Sequence, residues 1–294
     1  MCYNFIGDFM KILVGEYSGF CAGVNYTYNK ALEEIKKGKI YCLGNIIHNE
    51  QVVSELESLG MITVFDIRDV KDNSRVIFRA HGEPLSSYIY AKEHNLDVVD
   101  LTCGRVKVIH NKVLKEKDSS FIIVIGKRIH PEIKGTIGYI LNDYCVVESE
   151  EDIKEAYDLF LKSNKKKIFI ISQTTFSSSL FDELCKKIKK VFKKVDLNID
   201  KSICDSTEKR QKECSKISKK SSAVIVIGSK KSSNTKELYE IACKNCKMVY
   251  FLEKVEYLKE IQFKKDDVIG IIAGASCPKY LIDEVKNYLN NTCL

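Results

Sequence analysis

The chain has no apolar run near the length needed to cross a bilayer, which excludes a membrane-spanning helix. It shows no Arg-rich amphipathic leader and no signal pattern, so a cytoplasmic protein is expected. No Gly-, Pro- or Ser-rich linker interrupts the 294 residues, so any domains are packed together rather than strung out. Basic residues are plentiful, but no basic motif is interleaved with aromatics, and no nucleic-acid partner is expected. The net charge of +7 comes from lysine runs such as 165–167 and 186–194, read as solvated helix faces. That surface suits a small anionic substrate or an acidic electron carrier. Residues 1–9 precede a second methionine, Met10, and are read as an appendage or a product of start-site choice, with no function placed there.

What is present is cysteine, twelve in all, in a chain that reads as residing in a reducing compartment. Most, including Cys42, Cys145, Cys185 and Cys243, are expected to be small core hydrophobes, and no zinc-ribbon or thioredoxin-like centre is expected. Three differ in context. Cys21, Cys103 and Cys204 each stand where an apolar run stops and a helix-like stretch begins, at domain spacing. The pattern points to three similar units, residues 10–103, 104–203 and 204–294, each offering one thiolate to a shared centre. The positive end of each following helix would stabilise that thiolate. Three thiolates fit zinc with an open fourth position, or an iron–sulfur cluster with one iron not ligated by cysteine.

Short apolar runs read as strands suited to a parallel sheet: 11–14, 40–43, 76–78, 98–101, 121–125, 145–147, 168–171, 223–227, 248–251 and 268–272. Helical patterns lie between them, so the class is α/β. Ser149 and Asp152 read as a capping box ahead of residues 153–161, and Asn234 with Glu237 as a helix start. Pro278 suits the first turn of 279–289. The stretch after Cys204 is the least helix-like, because it is mostly polar.

Ligands of open α/β sheets bind at the carboxyl ends of strands. Those ends release His48, His81, His130, Glu132, Thr174, Ser232, Ser233, Asn234 and Ser276. Three of only five histidines fall there; His94 and His110 fall in helix-like stretches and read as surface or packing residues. Ser232-Ser233-Asn234 opening a helix reads either as an anion site or as plain N-capping. Glu132 in an enclosed site is the natural proton source.

These segments resemble the 4-hydroxy-3-methylbut-2-enyl diphosphate reductase family. The matching stretches are GFCAGV at Cys21, LGNIIHN at His48, RAHGEP at His81, TC at Cys103 and HPEIKGTIGY at His130. SQTTFS at Thr174, ICDSTEKRQ at Cys204, SSNTKELYEIA at Ser232 and GIIAGASCP at Ser276 follow in order. The resemblance implies three α/β units in a pseudo-threefold trefoil around a [4Fe-4S] cluster held by Cys21, Cys103 and Cys204. It implies a diphosphate held by His48, His81, Ser232, Ser233, Asn234 and Ser276, with His130, Glu132 and Thr174 around the substrate alcohol. Two electrons from a ferredoxin or flavodoxin and two protons would remove the hydroxyl as water, giving isopentenyl or dimethylallyl diphosphate. The chain departs from the family pattern at Asn25-Tyr26-Thr27, at Gly104 after the second cysteine, and at Cys277. Gly104 is expected to loosen the turn there, and Cys277 to place a thiol near the substrate.

Overall fold

A computed structural model describes residues 10–292; the stretch 1–9, read above as an appendage, lies outside them. The strands are β1 (Lys11–Val14), β2 (Ile40–Leu43), β3 (Met61–Val64), β4 (Arg75–Phe78), β5 (Asp97–Asp100), β6 (Phe121–Ile125), β7 (Tyr144–Val147), β8 (Lys167–Ser172), β9 (Asp196–Ile199), β10 (Ala223–Ile227), β11 (Met248–Leu252) and β12 (Val268–Ala273). The helices are α1 (Ala22–Ile35), α2 (Glu50–Ser58), α3 (Leu85–Glu93), α4 (Gly104–Glu116), α5 (Pro131–Ile137), α6 (Asp152–Lys162), α7 (Ser178–Val191), α8 (Asp205–Ser218), α9 (Ser233–Asn245) and α10 (Lys279–Thr292).

All strand pairs are parallel, and they form three four-stranded sheets ordered β3-β2-β4-β5, β7-β6-β8-β9 and β11-β10-β12-β1. The α/β class with three similar parallel sheets is therefore observed. In each sheet the order by local sequence is second, first, third, fourth, except that the fourth strand of the last sheet is β1, from the start of the chain. The expected divisions at residues 103 and 203 fall after β5 and β9, whereas β1, expected in the first unit, pairs with β12. By compactness the described chain separates into two units. The smaller holds residues 10–25, His48–Val52 and 205–292; the larger holds Tyr26–Ile47 and Val53–Cys204.

The central strands explain why the sequence folds this way. Every residue of β2, β6 and β10 is buried, and apolar side chains on both faces give them nowhere else to go. Alternate residues of β6 feed two cores: Phe121, Ile123 and Ile125 pack with Phe160, Phe181 and Leu184, while Ile122 and Val124 pack with Ile109, Val113 and Ile133. Each such side chain contributes about 1.5–3 kcal/mol of burial. In the smaller unit β10 divides the same way, between Leu281 with Val285 and Leu238 with Ala242.

Two helix starts differ from expectation. At α6 the Asp152 carboxylate accepts from the Ser149 N–H at 2.8 Å, but the Ser149 hydroxyl also turns to that carboxylate, at 3.3 Å, so the box is one-sided. At α9 the cap is Ser232, whose Oγ accepts from the Thr235 N–H at 3.3 Å, and not Asn234. The polar stretch after Cys204 is a full helix, α8, because its buried stripe is itself polar: Thr207, Arg210, Gln211, Cys214 and Ser218.

Candidate active site

In the order second-first-third-fourth, the connections leaving the first and third strands depart toward opposite edges. The gap between those two strands is a topological switch point, where open α/β sheets bind ligands. The loops on either side of the three gaps carry the expected residues: His48 after β2 and His81 after β4, His130 after β6 and Thr174 after β8, Ser232 after β10 and Ser276 after β12. His48, His130 and Ser232 each stand four residues past the glycine that ends the first strand (Gly44, Gly126, Gly228).

The three cysteines repeat one arrangement. Each follows the fourth strand of a sheet and immediately precedes a helix: Cys21 before α1, Cys103 before α4, Cys204 before α8. Each donates its backbone N–H to the second residue past the third strand. Cys103 donates to the Ala80 carbonyl at 3.0 Å, Cys204 to Thr174 at 3.0 Å, and Cys21 to Ala275 at 3.4 Å. All three are partly exposed. Cys42, Cys145, Cys185, Cys214 and Cys277 are buried, and desolvation pushes their thiols up, to about 12 for Cys42 and about 11 for Cys145. A metal ligand must be a thiolate, so burial disqualifies those five. The Cys21 Sγ additionally accepts the Val24 N–H at 3.5 Å.

Two cysteine expectations need correction. Cys277 lies in the apolar core beside Leu281 and Ile282, with its thiol pushed up to about 12 by burial, so it offers no reactive sulfur to a substrate. Cys243 is exposed on α9, because Leu238 and Ala242 define the buried stripe and residue 243 lies about 100° around from it. Cys243 and Cys246 also make a C-x-x-C spacing that the sequence reading passed over. The pair sits at the carboxyl end of α9, and Cys246 Sγ donates to the Met248 carbonyl at 3.4 Å.

In the larger unit the expected residues form a connected set. His130 caps α5, its Nδ1 accepting the Glu132 N–H at 3.2 Å, which places the ring proton of neutral His130 on Nε2. The His81 ring meets His130 edge-on, with centroids 5.6 Å apart. Glu132 is 3% exposed, and its two carboxyl oxygens face Thr174: Oε1 accepts the Thr174 N–H at 2.6 Å and Oε2 its hydroxyl at 2.7 Å. Burial raises the Glu132 carboxyl from 4.5 to about 7, against the lowering effect of both Thr174 bonds. Glu132 therefore holds a proton at neutral pH in a substantial fraction of molecules.

The His81 loop is fixed from both sides. Gly82 adopts φ +77°, and a side chain there would strike His110 Cε1 at 2.6 Å. A side chain at Gly135 would strike the Gly82 carbonyl at 2.7 Å. His110 is the packing residue it was expected to be: buried against Tyr139, with burial lowering its pKa to about 4. His94 is the surface residue expected, its Nδ1 2.8 Å from Asp72.

In the smaller unit the donors gather differently. The Ser276 hydroxyl donates to the His48 carbonyl at 3.2 Å, and Asn49 Nδ2 donates to the Ser276 carbonyl at 3.0 Å. Asn49 was missed from the sequence; its signal was an Asn just before a helical run, and its Oδ1 does cap α2 through the Val52 N–H at 3.2 Å. Ser232, Ser233 and Asn234 are all buried at the start of α9. Neither amide atom of Asn234 has a hydrogen-bond partner, although its side chain is 97% buried by residue exposure. An unbonded buried amide costs about 1–3 kcal/mol.

A family model described as LytB protein matches residues 12–290. A curated relative from Thermoanaerobacter sp., named 4-hydroxy-3-methylbut-2-enyl diphosphate reductase, is 38% identical over 94% of this chain and 95% of its own length. One of the same name from Aquifex aeolicus is 34% identical over 97% of each chain. The solved structure of the E-1-hydroxy-2-methyl-but-2-enyl-4-diphosphate reductase from Plasmodium falciparum superposes with a TM-score of 0.84 at 30% identity, over 95% of this chain and 87% of that one. A second, described as (E)-4-hydroxy-3-methyl-but-2-enyl diphosphate reductase, the terminal enzyme of the non-mevalonate pathway, gives 0.69 at 33% identity over 96% and 99%. On matches spanning nearly its whole length, this chain belongs to the LytB family, whose curated members are 4-hydroxy-3-methylbut-2-enyl diphosphate reductases.

Proposed function

We propose that this chain removes the hydroxyl of 4-hydroxy-3-methylbut-2-enyl diphosphate reductively, the activity that names its relatives. The observation that carries the reading is Glu132: a buried carboxyl raised to about 7, with its oxygens on the Thr174 backbone and hydroxyl. Protonated Glu132 donates to Thr174 Oγ1, which frees the threonine hydroxyl proton to point at a substrate oxygen. The pair thus delivers a proton to a leaving hydroxyl. His130, with its proton on Nε2, donates to the same alcohol.

Cys21, Cys103 and Cys204 fit a [4Fe-4S] cluster by donor chemistry: partly exposed, each ahead of a helix, and distinct from the five buried thiols. Such a cluster supplies electrons and, at the iron without a cysteine, a Lewis acid. The diphosphate falls to His48, His81, Ser232, Ser233, Asn234 and Ser276, of which Asn234 is conspicuously unbonded. The overall change breaks the allylic C–O bond with two electrons and two protons, releasing water and either isopentenyl or dimethylallyl diphosphate. A ferredoxin or flavodoxin fits the excess of surface lysine as electron donor, and the free cysteines fit the cytoplasm. Each sheet with its helices is one α/β unit in this scheme, contributing one cysteine.

The competing chemistry is a hydro-lyase that uses the iron only as a Lewis acid. Anaerobic turnover of the hydroxylated diphosphate with and without a reduced donor separates them. Reductase chemistry predicts both products with electrons and no loss of substrate without them. Loss of substrate without a reductant would overturn the assignment.

A further inference from the structure

Thr235 has no part in the scheme above, yet its surroundings are unusual. Its side chain is wholly buried, its N–H is bound to Ser232 Oγ, and its hydroxyl oxygen has no hydrogen-bond partner. Two glycines flank that oxygen, each the first residue past a strand: Gly228 past β10 and Gly274 past β12. A methyl carbon on Gly274 would lie 2.1 Å from Thr235 Oγ1, and one on Gly228 2.8 Å away. Both are far inside van der Waals contact. Gly228 also adopts φ +143°, which few other residues tolerate.

The equivalent gaps in the larger unit are closed in another way. Between β6 and β8, Gln173 reaches across, its Oε1 accepting the Lys127 N–H at 3.1 Å. Between β2 and β4, Arg79 covers Gly44 and pairs with Glu83 at 3.0 Å. Gln173 and Arg79 are each the first residue past the third strand. In the β10–β12 gap that position is Gly274, and the bridging atom comes from α9 itself. The hydroxyl of Thr235 takes the place of a long side chain.

We propose that Thr235 is a positioning residue: its Oγ1 sets the separation between the loop bearing Ser232, Ser233 and Asn234 and the loop bearing Ser276, so that both reach one diphosphate. This rests on reading those residues as a diphosphate site. An oxygen can sit against glycine Cα–H groups at about 3.3–3.6 Å as a weak hydrogen bond. A methyl group needs about 3.5–4.0 Å and offers no attraction of that kind. Threonine and serine therefore hold the spacing, whereas valine, similar in shape, forces the loops apart.

The test titrates the full-length chain with inorganic diphosphate by calorimetry and follows thermal unfolding of each variant. T235S is expected to bind within about threefold of the natural protein, and T235V at least about tenfold more weakly while remaining fully folded at the assay temperature. T235A, which leaves the gap open, is expected to weaken binding several-fold and serves if T235V does not fold. Natural affinity in T235V or T235A, or a loss of affinity that only tracks a loss of unfolding temperature, overturns the proposal. N234A separates the two levels. If N234A binds as the natural protein does, or if the natural protein does not bind diphosphate, the site itself is misread. If N234A weakens binding and T235V does not, the positioning role alone fails.

Discussion

Glu132 and Asn234 occupy equivalent places and are treated oppositely. Each is the second residue of a helix that follows the first strand of a sheet, two past a capping residue, His130 in one case and Ser232 in the other. Both are buried. Glu132 has each carboxyl oxygen on Thr174, while Asn234 has no partner for oxygen or nitrogen. Two side chains differ: Asn234 is one methylene shorter than Glu132, and the residue across the switch point lacks a hydroxyl. Thr174 is the second residue past β8, and its counterpart past β12 is Ala275, which has no hydroxyl. Both carbonyls accept a cysteine N–H, from Cys204 and Cys21 respectively, so the backbones correspond. In the function proposed above, the first place holds a proton with its bonds complete and the second takes a ligand.

Breaking the acid has the largest expected effect. E132Q should lower kcat by about 10²–10⁴-fold with little change in KM, measured anaerobically with saturating reduced donor. In the natural protein kcat/KM should fall as pH rises through about 7, where Glu132 loses its proton, and E132Q should lack that limb. The stability sign follows from the same shift. A carboxyl raised from 4.5 to about 7 favours the folded state less and less between those values, so E132Q should be more stable than the natural protein above pH 7 in urea unfolding.

Next is the unbonded amide. N234L should raise KM about 10–100-fold while leaving the ligand-free protein as stable or more so, since an unsatisfied polar group is replaced by an apolar one of like size. A drop in ligand-free stability would mean that Asn234 is bonded within the protein after all. The comparison can also be sharpened by giving Asn234 the partner it lacks. A275T should weaken inorganic diphosphate binding by about three- to tenfold, because a new hydroxyl competes for the amide. The smallest effect is expected at the departure nearest the substrate loop: C277A should keep turnover within about twofold and cost about 1 kcal/mol of stability, as a core sulfur.

How much of this was legible in the sequence depended on burial. The central strands β2, β6, β10 and β12 announce themselves as apolar runs because both faces are covered. β9, Asp-Leu-Asn-Ile at a sheet edge, carries too little apolar pattern to be recognised, whereas β3, Met-Ile-Thr-Val, was passed over although its pattern is apolar. α8 looked unlike a helix because its buried face is polar. The strand-end residues were readable as a set, since loops after parallel strands leave few places for histidine and serine to go. Which of them was capped and which was left unbonded was not readable, because Ser232 and Asn234 are both good caps and only the backbone decides between them. The pairing of β1 with β12 was invisible, being a contact between the two ends of the described chain.

The account turns on the three cysteines that repeat one backbone arrangement. The most direct measurement is iron analysis with Mössbauer spectroscopy on anaerobically prepared protein, comparing Cys21→Ser, Cys103→Ser and Cys204→Ser with C277A. The natural chain and C277A should hold about four irons in one cluster, with one iron distinct from the rest, and each of the three serine variants should lose it. An intact cluster in all three serine variants would contradict the account.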